Sequence, residues 1–292
     1  MEITASMVKD LRMKTGAGLM DCKKTLVEAQ GDFDRASDLL RERGIAKAAS
    51  KSGRITSEGL ISTFVSADYK SGAIIEISCE TDFVARTDDF QSFAKALAKQ
   101  VAKSGVPTDI EKLGASTFEG EGGGTVEYAL KTLIGKLGEN MIIRRANRLE
   151  VDGSGGIADY VHPGDKLGVL VEISASNISA SDEFRVFARD IAMHVAAVNP
   201  AAVNRDDVDS AVIEKEKAIY RQQALNDGKP EAIVEKIVNG RVSKFYSEVV
   251  LMEQGFVKDP DQSVSDYVKS QPESVGSDLG VKQICRYRLG EE

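Results

Sequence analysis

Several residue types that commonly carry catalysis or metal binding are scarce in this sequence of 292 residues, which has no tryptophan, two histidines and three cysteines. Cys22, Cys79 and Cys285 are odd in number and far apart, which fits neither a zinc-ligand set nor a disulfide framework and indicates a reducing compartment. His162 and His194 lie near no cysteine or serine in a recognisable catalytic arrangement, and the carboxylates form no spaced ligand set. We therefore expect a binding protein, with no enzyme activity, no metal site and no cofactor.

Long apolar runs and an excess of positive charge are also missing. No apolar run approaches the roughly 18 to 20 residues that span a bilayer, and residues 1–6 lack the basic and apolar regions of a secretion signal. A net charge of -8 argues against a broad nucleic-acid surface, and the aromatic residues are too scattered to form a base-stacking platform. We expect a cytoplasmic protein that binds neither membranes nor nucleic acid directly.

Residues 3–44 have the pattern of three short helices. Thr4 can cap the first helix, Gly31 can end the second, and Asp32 and Gly44 can begin and end the third. A bundle of this size is near the lower limit for independent stability and is more typical of a docking module than of a catalytic domain.

Two further segments invite comparison with phosphate-binding elements. Lys47, Lys51 and Arg54 follow the bundle without clear periodicity, and we interpret them as a linker, with a phosphate-contacting arm as the alternative. The glycines at 119–124 are not preceded by a strand or followed by Gly-Lys-Ser/Thr, so we expect a flexible surface loop there.

An internal repeat organises the middle of the chain. Residues 59–78 align without gaps on residues 155–174, and each copy has the pattern of a strand, a tight turn and a strand. A helix is expected after each hairpin, and a closing strand at 143–151 and at 284–289. Identical residues support the alignment: Ile61 and Ile157, Val65 and Val161, Lys70 and Lys166, Gly72 and Gly168, and the Glu-Ile-Ser sequences at 76–78 and 172–174.

The first copy carries a feature that the second lacks. After the strand at 74–77, Thr81, Asp82, Phe83 and Val84 form a short turn that precedes a helix. An acidic and an aromatic residue at such a turn are typical of a recognition loop held by rigid elements. The alternative is that Asp82 caps the helix and Phe83 packs in the core. The second copy is two residues shorter here and has no such pair, which favours recognition because a core requirement should recur in both copies.

Two long helices are predicted at 206–225 and 230–251, joined by a turn at 226–230 and inserted in the second copy as a helical hairpin. Their apolar stripes either face each other, as in an antiparallel coiled coil, or also contact a partner. These stripes comprise Val208, Val212, Ile219, Ile233, Ile237, Val242 and Phe245.

The chain is therefore expected to be an α+β protein with four segments. These are a three-helix docking domain and linker at 1–54, a first core repeat at 55–152, a second core repeat at 153–204 and 256–292, and the inserted hairpin at 205–255. Two other classes of function stay open at this point: a general adaptor or chaperone-like binder, and a small-molecule enzyme with a composite site between the repeats.

Residues 11–26 (LRMKTGAGLMDCKKTL) and 79–86 (CETDFVAR) resemble the two signatures of the elongation factor Ts family. The resemblance implies an N-terminal bundle of the ubiquitin-associated type, a core of two repeated antiparallel-sheet and helix subdomains, and an inserted coiled-coil hairpin. The best-known members carry an extra helical module after the last strand, whereas this sequence stops at Glu292, so contacts of that module are expected to be absent. Similar segments also occur at 138–145, 160–162, 191–197 and 240–245.

The resemblance also implies a function, which is guanine-nucleotide exchange on the translational GTPase elongation factor Tu. In the family the bundle docks on the GTPase domain. The Thr-Asp-Phe-Val turn inserts beside the nucleotide site, where it disturbs magnesium and phosphate binding and promotes GDP release. The histidine of a Tyr-x-His turn touches another domain of the partner. A homodimer or a 2:2 complex formed through the hairpin is compatible with this function. The matching positions here are Arg12, Leu19, Met20 and Lys23 in the bundle, Thr81, Asp82, Phe83 and Val84 in the turn, and His162.

Overall fold

The computed structural model describes residues 3–121, 123–178 and 181–291 and belongs to the α+β class, as predicted. Gly122, within the loop expected at 119–124, lies outside the described residues, and so does Glu292. Within those ranges, no helix has the length and the apolar content to cross a membrane.

Groups of helices and groups of antiparallel strands follow one another along the described chain. The helices are α1 (Ala5–Thr15), α2 (Leu19–Glu28), α3 (Phe33–Ala49), α4 (Asp82–Ala85), α5 (Asp88–Val101), α6 (Ile110–Ala115), α7 (Val126–Leu137), α8 (Asp182–Val198), α9 (Ser210–Asn226), α10 (Glu231–Val249) and α11 (Val264–Lys269). The strands are β1 (Glu58–Val65), β2 (Ser71–Cys79), β3 (Met141–Glu150), β4 (Gly155–Val161), β5 (Leu167–Ser174), β6 (Asn177–Ile178), β7 (Gly255–Phe256), β8 (Asp259–Ser263), β9 (Gly276–Ser277) and β10 (Gly280–Arg288).

Helices α1 to α3 form the N-terminal bundle. Thr4 and Asp32 cap α1 and α3, because their side-chain oxygens accept backbone N–H groups of the first helical turn. A small apolar core holds the three helices together and consists of Val8, Leu11, Cys22, Leu26, Ala29 and Ala36.

The third helix is longer than the sequence predicts. Gly44 does not end α3, which continues to Ala49, so the segment of Lys47 that we interpreted as a linker is helical. The reason is packing: α3 crosses α7, and a Cβ atom on Gly135 of α7 would lie only 2.5 Å from the Cα atom of Gly44. Gly44 therefore serves as a small residue at a helix contact and not as a helix terminator.

Each copy of the repeat builds a three-stranded antiparallel sheet. The first sheet has the order β1-β2-β3, with α5 packed on it, and the second has the order β10-β5-β4, with α8 packed on it. The strands predicted to close the two sheets are present as β3 and β10. The largest fully buried aromatic residues, Phe90 of α5 and Phe184 and Phe187 of α8, anchor the helices to their sheets.

The two sheets meet through equivalent residues of the repeat. Ile61 packs over Gly168, where an added Cβ atom would lie 2.6 Å from the Ile61 Cγ2 atom, and Ile157 packs over Gly72 in the same way, at 2.7 Å. The contact is therefore reciprocal. Backbone hydrogen bonds follow the same symmetry: the N–H of Ile61 donates to the carbonyl of Asp165 (2.6 Å), and the N–H of Ile157 donates to the carbonyl of Tyr69 (2.8 Å).

Helices α9 and α10 form a hairpin whose inner face matches the predicted stripes in part. Val242 belongs to the buried seam, and Val208, Ile237 and Phe245 pack against it. Val212, Ile219 and Ile233 were expected to lie on these stripes but are exposed. The neighbours of two of these residues, Ile213 and Val234, occupy the seam instead. The buried seam consists of Ile213, Ala224, Val234, Val238 and Val242.

Candidate functional site

A short helix follows the central strand of the first sheet and presents the acidic-aromatic pair. Strand β2 ends at Cys79, and the Thr81 hydroxyl caps α4 by accepting the N–H of Val84 at 3.4 Å. Val84 and Ala85 are buried in the hydrophobic core of the first repeat, and their burial holds the turn in place. We call Thr81–Val84 the tip.

Phe83 projects from the tip into solvent. Its side chain is 81% exposed, which is unusual for a large apolar residue that no neighbour covers. Asp82 lies beside it and forms an ion pair with Arg86, with 2.9 Å between Asp82 Oδ2 and Arg86 Nη2. The alternative in which Asp82 caps the helix and Phe83 packs in the core is wrong. Thr81 supplies the cap, and this register directs residue 84 inward and residue 83 outward.

A second turn, residues 138–140 between α7 and β3, holds the tip from the side, and we call it the supporting turn. The Glu139 carboxylate accepts the backbone N–H of Thr81 at 2.9 Å and its hydroxyl at 2.6 Å. In the opposite direction, the Glu80 carboxylate accepts the N–H of Asn140 at 2.6 Å. Sequence reasoning assigned no role to Glu139, because 58 residues separate it from Thr81.

The N-terminal bundle reaches the same end of the molecule as the tip. Lys136 of α7 connects the two: its Nζ atom lies 2.8 Å from Asp89 Oδ1, and its aliphatic chain packs against Gly16 in the α1–α2 loop. Asp89 belongs to the first turn of α5, which begins shortly after the tip. The α1–α2 loop therefore lies close to the start of α5, a few residues beyond the tip.

The bundle presents more exposed apolar residues than the sequence analysis selected. Met13 and Val27 are both exposed and were missed. Met13 directly follows a selected residue, and Val27 lies two helical turns beyond Met20, so helical spacing could have identified it. The candidates selected from the sequence, all of them exposed, are Arg12, Leu19, Met20 and Lys23.

His162 lies in the turn between β4 and β5, which also approaches the tip end of the first sheet. Lys166 in this turn places its Nζ atom 2.6 Å from Glu58 Oε2, and Glu58 pairs with Cys79 where β2 ends. The His162 ring is exposed, with its Nδ1 atom 2.9 Å from the Tyr160 hydroxyl oxygen. The structure thus brings the candidate residues of all three segments to one end.

The chemistry around the tip suits binding better than covalent catalysis. Cys79 is fully buried, and burial raises the pKa of its thiol to about 12, so little of the reactive thiolate exists at neutral pH. In the described part of the chain, no group of three or more His, Cys, Asp or Glu side chains is placed so that it could hold a metal ion.

A cleft of about 530 Å³ lies between the two sheets, at the opposite end of β2 from the tip, and Tyr69 is part of its lining. Three of its four charged side chains are already paired within the protein, and the fourth, Arg189, lies over the Tyr160 ring. Asp159 accepts a hydrogen bond from Thr63, and Arg185 pairs with Asp182. This pairing does not favour a composite enzyme site in the cleft.

Comparisons with known proteins agree on one family. The family model described as elongation factor TS matches residues 80–291, which include the tip and the supporting turn. A protein named elongation factor Ts from Clostridium botulinum is 48% identical over 289 residues, covering 99% of this chain and 93% of the relative. A protein of the same name from Clostridium kluyveri is 49% identical with the same coverage.

Proposed function

Because the chain belongs to the elongation factor Ts family, we propose that it is a guanine-nucleotide exchange factor that binds elongation factor Tu carrying GDP and promotes GDP release during translation elongation. One observation supports the proposal most directly: Phe83 is exposed on a tip whose flanking residues are fixed. The protein acts by changing the conformation of its partner and makes or breaks no covalent bond.

Burial of Phe83 in the partner supplies free energy for distorting the nucleotide site. Fully burying a phenylalanine contributes roughly 1.5 to 3 kcal/mol, which favours the conformer that accepts the ring by roughly ten- to a hundredfold. A GTPase holds GDP largely through magnesium and through backbone amides around the phosphates. A ring wedged between the elements that support the magnesium ligands therefore weakens nucleotide binding.

Asp82 brings a negative charge to the same place. Its present partner, Arg86, is largely exposed, and exposed ion pairs are weak. Asp82 can therefore exchange this partner for a group on elongation factor Tu. A carboxylate that approaches the magnesium and phosphates repels the phosphates and competes for the metal, so both tip residues act in the direction of release.

The N-terminal bundle gives the complex its docking surface. Residues 1–54 contain eleven Lys and Arg against eight Asp and Glu, whereas the whole chain has a net charge of -8. Arg12 and Lys23 therefore offer positive charge next to the exposed side chains of Leu19 and Met20. Such a mixed patch fits an acidic surface with apolar pockets on the GTPase domain.

The remaining segments have separate roles in the proposal. Residues 55–152 present the tip, and the second repeat, at 153–204 and 256–292, offers His162 to another domain of the partner. The hairpin at 205–255 joins two copies as a homodimer or a 2:2 complex through its exposed apolar residues, Val212, Ile219 and Ile233. Sedimentation of the wild type and of a variant with serine at these three positions tests this role, and equal sedimentation would exclude it.

Exchange is measured as release of a fluorescent GDP analogue from purified elongation factor Tu. The wild type is expected to accelerate release as its concentration rises. Phe83→Ala is expected to lower the saturating rate by roughly tenfold or more, because the free energy from burying the phenylalanine side chain is lost. Val186→Ala is a matched control, because Val186 is an exposed apolar residue on α8 of the other repeat. No acceleration by folded wild type would contradict the proposed function, whereas full activity of Phe83→Ala would remove only the tip from the mechanism.

A further inference from the structure

We infer that Glu139 is a positioning residue for exchange: by holding Thr81, it fixes the orientation in which the tip presents Phe83. This inference rests on the proposed function and adds a residue to it. Glu139 acts through the backbone N–H and hydroxyl of Thr81, and the Phe83 ring is exposed.

The two oxygens of the Glu139 carboxylate have separate tasks. Oε2 accepts the Thr81 backbone N–H, and Oε1 accepts the Thr81 hydroxyl. A hydroxyl has one proton to donate and lone pairs with which to accept. Because the carboxylate takes the proton, the Thr81 oxygen directs a lone pair at the Val84 N–H and caps α4. Both bonds to Glu139 are charge-assisted, which makes them stronger than neutral ones.

The tip depends on this external support because α4 is very short. It contains only four residues, Asp82–Ala85, and a single helical turn is unstable without tertiary contacts. Val84 and Ala85 fix its lower side by burial. Because Phe83 is exposed, no neighbouring side chain fixes its direction, which therefore depends on the backbone of the tip. The two hydrogen bonds from Thr81 to Glu139 hold that backbone in place.

The supporting turn also contacts the segment that leads from the docking bundle. The Asn140 side-chain amide donates to the carbonyl of Arg54 at 2.8 Å, and the Lys51 ammonium donates to the carbonyl of Gly138. Glu80, the residue before Thr81, accepts the Asn140 N–H. The docking bundle and the tip are therefore braced by the same three-residue turn, so that docking and presentation of Phe83 are linked.

The second repeat offers a matched control. There the hydroxyl of Ser176 donates to the carboxylate of Asp278, which precedes β10 as Glu139 precedes β3. This pair occupies the corresponding place in the copy that lacks an acidic-aromatic tip. Asp278→Ala therefore removes a comparable hydrogen bond without affecting Phe83.

The test compares Glu139→Ala, Glu139→Gln and Asp278→Ala in the GDP-analogue assay. Glu139→Ala is expected to lower the saturating release rate about tenfold if the competent orientation falls to about a tenth of the population, while the half-saturating concentration stays within about twofold. Glu139→Gln retains an acceptor for the Thr81 N–H and should recover part of the rate. Asp278→Ala should match the wild type. Faster amide hydrogen exchange confined to residues 81–85 in Glu139→Ala would show that the tip is loosened.

A double-mutant cycle separates positioning from general stability. In a Phe83→Ala background, Glu139→Ala should change the rate no further, because there is no ring left to position. Equal rates for Glu139→Ala and Asp278→Ala, or an independent effect of Glu139→Ala in that background, would overturn the inference. If Glu139→Ala fails to fold, Thr81→Ser and Thr81→Val repeat the comparison, with the hydroxyl kept or removed. Absence of acceleration by the wild type would instead overturn the proposed function, and this inference with it.

Discussion

Gly135→Ala tests whether the bundle is held to the core by the crossing of α3 and α7. A Cβ atom at Gly135 would lie 2.5 Å from the Gly44 Cα atom and 2.9 Å from its carbonyl carbon and oxygen. Comfortable carbon contacts lie at about 3.5 to 4.0 Å. The two helices must therefore separate by about 1 Å, because the opposing atoms belong to backbone and cannot rotate away.

Gly44→Ala is the matched control for Gly135→Ala, because it adds the same methyl group to the other helix of the same crossing. A Cβ atom there meets the Gly135 Cα atom at 3.6 Å, an ordinary van der Waals contact. Both substitutions replace a glycine in a helix interior. Each variant therefore gains up to about 1 kcal/mol of stability, because alanine has the higher helix propensity and lowers the conformational entropy of the unfolded chain. Overpacking costs about 1 to 3 kcal/mol and applies only to Gly135→Ala. We expect this variant to be less stable than Gly44→Ala by about 1 to 3 kcal/mol.

Calorimetry measures the loss of thermal stability, and limited proteolysis measures the displacement of the bundle. A difference of that size corresponds to a Tm lower by about 2 to 5 °C in Gly135→Ala than in Gly44→Ala. Cleavage after α3, in residues 50–57, should accelerate only in Gly135→Ala, because only there is the bundle displaced. Equal Tm values for the two variants, or faster cleavage in Gly44→Ala, would refute the argument that backbone contact at this crossing holds the bundle.

Two further predictions concern the core. His194 is fully buried, its Nδ1 atom accepts the Val257 N–H at 3.1 Å, and burial lowers its pKa despite an opposing hydrogen bond to Gln254. The contribution of neutral His194 to stability is therefore fully present above about pH 6.5. As the pH falls below that value, the free energy of unfolding should drop by up to about 1.4 kcal/mol per pH unit. Urea titrations at several pH values should find this slope in the wild type and not in His194→Gln. Gly168→Ala forces a Cβ atom to within 2.6 Å of Ile61 and should lower the stability by about 1 to 3 kcal/mol in urea denaturation; unchanged stability would show that the sheets separate freely.

The features that sequence reasoning found are those with a local or repeated pattern. The two hairpins appear as an ungapped repeat because strand alternation and turn glycines recur at fixed spacing, and the tip stood out because only one copy contains the Asp82–Phe83 pair. Residue types and their neighbours in sequence are sufficient for such predictions. They also indicated the family correctly.

The features that sequence reasoning missed depend on contacts between distant segments. Gly44 has the appearance of a helix end until α7 is placed against it, where its Cα atom leaves no room for a Cβ atom on Gly135. The seam of the hairpin could not be chosen between Val212 and Ile213 without knowing the rotation of each helix about its axis. Glu139 is an ordinary acidic residue in the sequence, and only the fold brings it to Thr81.

The reciprocal packing of Ile61 on Gly168 and of Ile157 on Gly72 has a consequence for experiments at low concentration. The contact has the self-complementary form that two identical subunits share in a symmetric dimer. Here both partners belong to one polypeptide, so their local concentration is fixed by the chain and not by the amount of protein in solution. Dilution to nanomolar levels, which separates many true dimers, leaves this pair assembled, and the sheet that carries Phe83 keeps its support in any exchange assay.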